Sequence, residues 1–112
     1  MEPLERAAAL SEDGKLFLRV ARLYLDSYEW AAAESAASSA IERGGLDDVG
    51  SAWLVRGMAM ARLEQFVTAR RHFEQALASD KSAGYAHQWL TYIEREQQKL
   101  DMLALEQSDA AY

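Results

Sequence analysis

The sequence predicts an all-α chain built from repeated helix pairs, and three observations lead there. The first is composition. Of 112 residues, half are apolar and 21 are Ala, whereas only eight are β-branched (Val20, Ile41, Val49, Val55, Val67, Thr68, Thr91, Ile93). Ala, Leu, Glu, Arg, Gln and Met dominate, and these lose little side-chain freedom on a helix. The second is punctuation, which is sparse and regular, with one Pro and six Gly. The third is self-similarity after a shift of 36 residues.

The elements follow in order. A short helical piece is expected at about 3–9, because Leu4-Glu5-Arg6 through Gly14 parallels Ile41-Glu42-Arg43 through Gly50 with one residue of slack. Those opening residues read as the tail of a second helix whose body is missing. Ser11-Glu12-Asp13-Gly14 offers capping side chains ahead of Leu16-Phe17-Leu18, which starts a helix at about 14–26. The next helix, about 29–43, is stopped by Gly44-Gly45, residues that tolerate positive φ. Asp47-Asp48 caps a helix at about 49–62 and Ser79-Asp80 caps one at about 82–100, with another at about 66–79 between them. The turns at Asp26-Ser27 and Glu64-Gln65 carry no Gly or Pro, and periodicity alone places them.

The 36-residue shift lays Phe17 on Trp53, Ala21 on Gly57, Tyr24 on Met60, Trp30 on Phe66, Ala33 on Ala69, Ala40 on Ala76 and Ile41 on Leu77. Large positions stay large and small positions stay small. Antiparallel helices approach closely only where one presents Gly or Ala, and bulky neighbours then fill the space beside that contact. A single pair cannot bury its outer apolar face, so copies stack.

These residues resemble the tetratricopeptide repeat (TPR) family, whose 34-residue helix–turn–helix unit carries an aromatic near its start and a small–bulky–small series on its second helix. The unit at about 50–83 reads Trp53, Gly57, Met60, Ala69, Phe73, Ala76, departing at Arg56, where the family usually has Leu. The unit at about 14–49 reads Phe17, Ala21, Tyr24, Ala33, Ala37, Ala40, with Ala37 where the family prefers an aromatic. Gly45 and Lys81 stand in place of the family's closing Pro. A third first-helix, at about 84–107, has Ala86 and Leu90 in register and His87 where Trp53 stands. The resemblance implies a right-handed superhelical solenoid of antiparallel pairs, with about two full repeats and a capping helix. A solenoid usually needs about three units for independent stability, so the chain is expected to be part of a longer array or to self-associate.

No pattern for catalysis or metal binding emerges. Without Cys there is no disulfide framework, thiolate zinc site or thiol nucleophile. His72 follows Arg70-Arg71 on an expected exposed stripe, and His87 sits beside Tyr85 and Trp89. Both read as solvated or packing histidines, without HExxH-like spacing. Ser35, Ser38 and Ser39 read as helix contacts, since no Gly-x-Ser-x-Gly elbow surrounds them. Asp47-Asp48 lacks the alternating oxygens of a calcium loop, and capping accounts for it; Gly44-Gly45 lacks the Lys-Ser or Lys-Thr of a phosphate loop. No cofactor is expected. The net charge of −6 argues against nucleic acid. The longest uncharged run, Ser82 to Ile93, falls short of the ~18–20 apolar residues of a membrane span.

What remains is a surface. In the TPR family, first helices line a concave groove that takes an extended peptide or a partner helix. Carried over, the groove residues are Leu18, Arg22 and Leu25, then Leu54, Met58 and Arg62, then Gln88, Tyr92 and Arg95. An apolar patch with aligned Arg suits a partner that carries carboxylates. The Lys/Asn clamp of one family subset, which captures a C-terminal carboxylate, is not reproduced. Tyr85, Trp89 and Tyr92 form either a ligand-facing stripe or, through Trp89 and Ile93, a cover for the open end. The expectation is a protein-interaction module without catalytic activity. A self-associating homo-oligomer and a regulatory tail of a larger protein remain open beside it. The stretch from Ile41 to Glu94 also resembles the C-terminal part of bacterial TPR proteins, some of which accompany Ton-type systems of the cell envelope. That likeness implies a periplasmic fragment of an exported parent, whereas a complete chain with this opening stays in the cytoplasm.

Overall fold

The computed structural model describes residues 2–110, with side chains at 3–107. Among these, all regular structure is helical: α1 (Glu2–Leu10), α2 (Lys15–Asp26), α3 (Trp30–Arg43), α4 (Val49–Arg62), α5 (Phe66–Ala76) and α6 (Asp80–Ala110). Consecutive helices pack on one another, and α4 also touches α2 and α6. The molecule measures 59 × 30 × 19 Å and its radius of gyration is 16.3 Å, against about 13 Å for a globule of this length. It is an elongated row of helices.

Two apolar clusters hold the row. The first joins α1 to α4 through Ala8, Leu18, Val20, Ala21, Ala33, Ala37, Ala40, Ala52 and Val55. The second joins α4, α5 and α6 through Ala61, Phe66, Ala69, Phe73, Ala76, Ala86 and Ile93. Met58 packs against both. Most buried apolar residues are alanines, so the helices approach closely and few bulky side chains fill the gaps. Positions 36 apart share a fate: Ala33 and Ala69, Ala40 and Ala76, and Ala21 and Gly57 are all buried.

Gly57 shows how two buried positions 36 residues apart differ. A Cβ at that position would stand 2.6 Å from Cε1 of Phe73, so the ring occupies the space that glycine leaves open. The corresponding pair, Ala21 with Ala37, is small on both sides, and both residues are fully buried.

Two expectations about helix ends change. The helix expected at 66–79 ends at Ala76 and turns through Leu77 to Ser79. The helix expected at 82–100 runs from Asp80 to Ala110. Its extra turns, Asp101-Met102-Leu103-Ala104-Leu105-Glu106, contain five good helix formers after Asp101 and no Gly or Pro. Gly44 and Gly45 have φ of 74° and 71° and end α3 as expected. Arg43 then ties that end back to the carbonyls of Ala9 (2.8 Å) and Ser11.

The two turns without Gly or Pro share one conformation. Tyr28 and Glu64, 36 positions apart, take φ of 62° and 60°. The Glu29 N–H donates to the Tyr24 carbonyl, and the Gln65 N–H to that of Met60, each at 2.9 Å. The Tyr28 N–H likewise reaches Leu25 and the Glu64 N–H reaches Ala61. This is the Schellman pattern, with a non-glycine residue in the left-handed position. Glycine fits there without the Cβ penalty, at some cost in unfolded-chain entropy. Glu64→Gly is therefore expected to stabilise the fold by about 0.5–1 kcal/mol in urea unfolding; a destabilised variant would mean that the Glu64 side chain supports the turn.

Candidate functional site

The face formed by α2, α4 and α6 is hollowed. A cavity of about 580 Å³ is walled by Arg22 and Leu25 of α2, by Leu54, Val55 and Met58 of α4, and by Lys81, Tyr85 and Trp89 of α6. A smaller one, about 270 Å³, continues from it past Leu25, Met58 and Trp89 to Trp30 and Arg62. A third, about 410 Å³, adjoins at Arg62 and Trp89 and reaches Gln88 and Tyr92. Because neighbours share lining residues, the three form one groove along the row. Its floor is apolar, and Arg22, Arg62 and Lys81 are its cations, with Asp26 and Asp48 as carboxylates.

Seven of the nine residues expected to line the groove lie along it: Arg22, Leu25, Leu54, Met58, Arg62, Gln88 and Tyr92. Leu18 does not, for it is 8% exposed and packs in the first core cluster. Arg95 is exposed and lines none of the three cavities. Arg62 has its guanidinium carbon 5.9 Å from the Trp30 ring centre, within reach of a cation–π contact that restrains it.

Trp89 packs on the second cluster and also walls the groove. It stacks on Phe73 (centroids 5.4 Å, planes 10° apart), and Tyr92 meets it edge-on at 5.6 Å. Ile93 is buried within that cluster. Tyr85 and Tyr92 remain exposed.

Asp48 does more than cap α4. Its carboxylate accepts the Gly50 N–H (3.1 Å), the Ser51 hydroxyl (3.0 Å), the Ser82 hydroxyl (2.8 Å) and the Ser79 hydroxyl. Desolvation opposes its ionisation and is the largest single influence. The hydroxyls of Ser79, Ser82 and Ser51 and the Gly50 N–H together outweigh it, so the pKa lies below the usual 3.8. Ser79 and Ser82 flank the start of α6, so one carboxylate fastens that helix to the start of α4.

His72 is not on an exposed stripe. It is 9% exposed, with its ring 5.5 Å from that of Trp53 and its Nε2 4.0 Å from Glu34. Glu34 of α3 accepts from Arg56 of α4 at 2.9 Å and 2.8 Å, and that guanidinium lies 4.8 Å from the Trp53 ring centre. Arg56 therefore spans the contact between the two helix pairs. Burial and then the Arg56 charge hold the His72 pKa below 6.5, against the pull of Glu34, and so favour its neutral ring. The cluster has the character of a packed polar joint.

Among the described residues, no group of three or more His, Cys, Asp or Glu is placed to hold a metal ion. No helix among them is long and apolar enough to cross a membrane. Ser35 is exposed, while Ser38 and Ser39 are half-buried. What fold and groove define together is an all-helical chain whose alternate helices wall a partly basic, apolar groove. Comparison with family models, curated proteins and solved structures gives no match to this chain.

Proposed function

We propose that this chain is a protein-interaction module of the TPR kind, which holds a carboxylate-bearing peptide or partner helix in the α2–α4–α6 groove and performs no catalysis itself. In this reading the units are residues 14–49 and 50–83, followed by a third first-helix, and they stack as a right-handed solenoid. Support comes from the paired fates of residues 36 apart, from the identical turns at Tyr28 and Glu64, and from the elongated shape.

The observation that carries the proposal is the groove itself. Leu25, Leu54, Met58 and Trp89 give it an apolar floor on which a partner can bury side chains. Arg22 and Arg62 flank that floor, and a guanidinium pairs well with a carboxylate. The partner is therefore an amphipathic segment whose polar face is acidic, in a protein that is itself acidic overall.

Peptides selected from a random displayed library on the immobilised protein provide the probe. They are expected to combine apolar anchors with Asp or Glu. Arg22→Glu combined with Arg62→Glu should weaken their binding at least about tenfold in fluorescence anisotropy, with circular dichroism unchanged. Undiminished binding to that variant would move the site elsewhere.

A further inference from the structure

The largest feature that the groove leaves unexplained is the end of α6. Every described residue from Gln98 to Gln107 is exposed, and the helix from Gln98 to Ala110 is about 20 Å long at 1.5 Å per residue. Over Leu100-Asp101-Met102-Leu103-Ala104-Leu105, five of six residues are apolar. Leu100 is 52% exposed, Met102 63%, Leu103 52% and Leu105 66%. At 100° per residue, Leu100, Leu103 and Ala104 continue the stripe on which Ile93 is buried, whereas Met102 and Leu105 lie on the opposite side. A helix that is apolar on opposed sides is one that becomes buried.

We propose that a second copy of this chain covers it, the two α6 ends lying antiparallel across a two-fold axis. Such an interface is isologous, so each tail supplies its partner with what it needs itself. Charge fixes the alignment. Lys99 is the only basic residue from Glu96 to Ala110, and Glu106 stands seven residues beyond it, two helical turns away on the same flank. Set antiparallel with Lys99 level with the partner's Glu106, the helices bring Leu100 to within one residue of the level of the partner's Ala104, both on the stripe that faces the other tail. The same ion pair forms twice. Among the described residues Lys99 pairs with Glu96 of its own helix, an exposed contact of 3.1 Å that a partner's carboxylate can replace.

A second surface lies where the partner's tail arrives. The start of α5 and α6 enclose a cleft of about 540 Å³ walled by Phe66, Val67 and Leu100. Val67 is 60% exposed. Beside Glu64, Gln65, Thr68, Arg70, Gln97 and Asp101, those three side chains give the partner's Met102 and Leu105 side an apolar strip within a mixed wall, while the Leu100 and Leu103 side meets the other tail. This contact is separate from the α2–α4–α6 groove and leaves it open, so the dimer presents two grooves.

The test is sedimentation equilibrium of the full chain from micromolar to submillimolar concentration. A concentration-dependent dimer is expected. Leu103→Asp should abolish it with circular dichroism unchanged, since residue 103 lies beyond both core clusters. Lys99→Glu and Glu106→Lys should each weaken self-association by about tenfold. An equimolar mixture of those two variants should form a heterodimer, because both pairs are then again opposite in charge. A strict monomer at all concentrations overturns the proposal, as does a dimer that survives Leu103→Asp. A dimer lost on Arg22→Glu with Arg62→Glu, but not on tail substitution, would place a second copy in the groove instead and also overturns it. Failure of the tail pairing leaves the peptide-binding proposal intact, since the two readouts use different residues.

Discussion

Phe73→Ala is expected to destabilise the protein by about 3–5 kcal/mol in urea unfolding, the range for deleting a fully buried Phe. Phe73 is fully buried, stacks on Trp89 of α6 and lies in the space above Gly57 of α4. Its removal therefore opens a cavity among three helices at once and takes away the ring on which Trp89 stacks. The same geometry predicts a change of sign at Gly57. Alanine is the better helix former by about 1 kcal/mol, yet in the native background its Cβ would press on the Phe73 ring and overpack the contact. Gly57→Ala should thus destabilise the native protein and stabilise the Phe73→Ala variant, which would then carry the small-on-small pair seen at Ala21 and Ala37. Equal effects in the two backgrounds would separate Phe73 from Gly57.

Asp48→Ala is expected to cost about 2–4 kcal/mol. The lost helix cap contributes roughly 1 kcal/mol. The Ser82 hydroxyl, on a residue only 2% exposed, loses its acceptor, and an orphaned buried donor costs about 1–3 kcal/mol. A double-mutant cycle with Ser82→Ala should show coupling above about 0.5 kcal/mol. Strict additivity would mean that the two groups do not act together. The depressed pKa of Asp48 adds a pH signature. The folded value lies below the unfolded one, so the stabilisation is fully present above about pH 4 and is lost as pH falls through the folded pKa. Asp48→Asn should remove that part of the acid limb, measured as urea midpoints across pH.

Much of this architecture is legible in the chain. The starts of α2, α4 and α6 lie within two residues of those expected; Asp13 and Asp48 accept N–H groups at the first two, whereas at α6 the Ser79 hydroxyl turns to Asp48 instead, and Gly44-Gly45 ends α3. These signals are local, since a cap acts on backbone groups two or three residues away. The matching positions 36 residues apart also pointed to the alanines that are buried, because close helix approach demands a small side chain whatever the partner is.

Other features had no local signal. The left-handed residues Tyr28 and Glu64 look like ordinary helix or loop residues in sequence, and it is the packing of the flanking helices that holds them at positive φ. The Asp48 network joins residues 31 and 34 positions away, a spacing that no cap motif encodes. His72 followed two arginines and looked solvated, but Glu34 and Arg56, on two other helices, enclose it. Leu18 belonged to the expected groove by position and to the core by packing.

By itself the sequence determined that the chain is helical, where the capped helices begin and where small residues recur, because each depends on neighbours within about one turn or on the volume of a single side chain. Only the tertiary structure decided which ring fills the space above Gly57, which hydroxyls gather on Asp48, and which side chains of α2, α4 and α6 share one groove. Those outcomes depend on distances between helices, and the spacing of residues along the chain does not contain them.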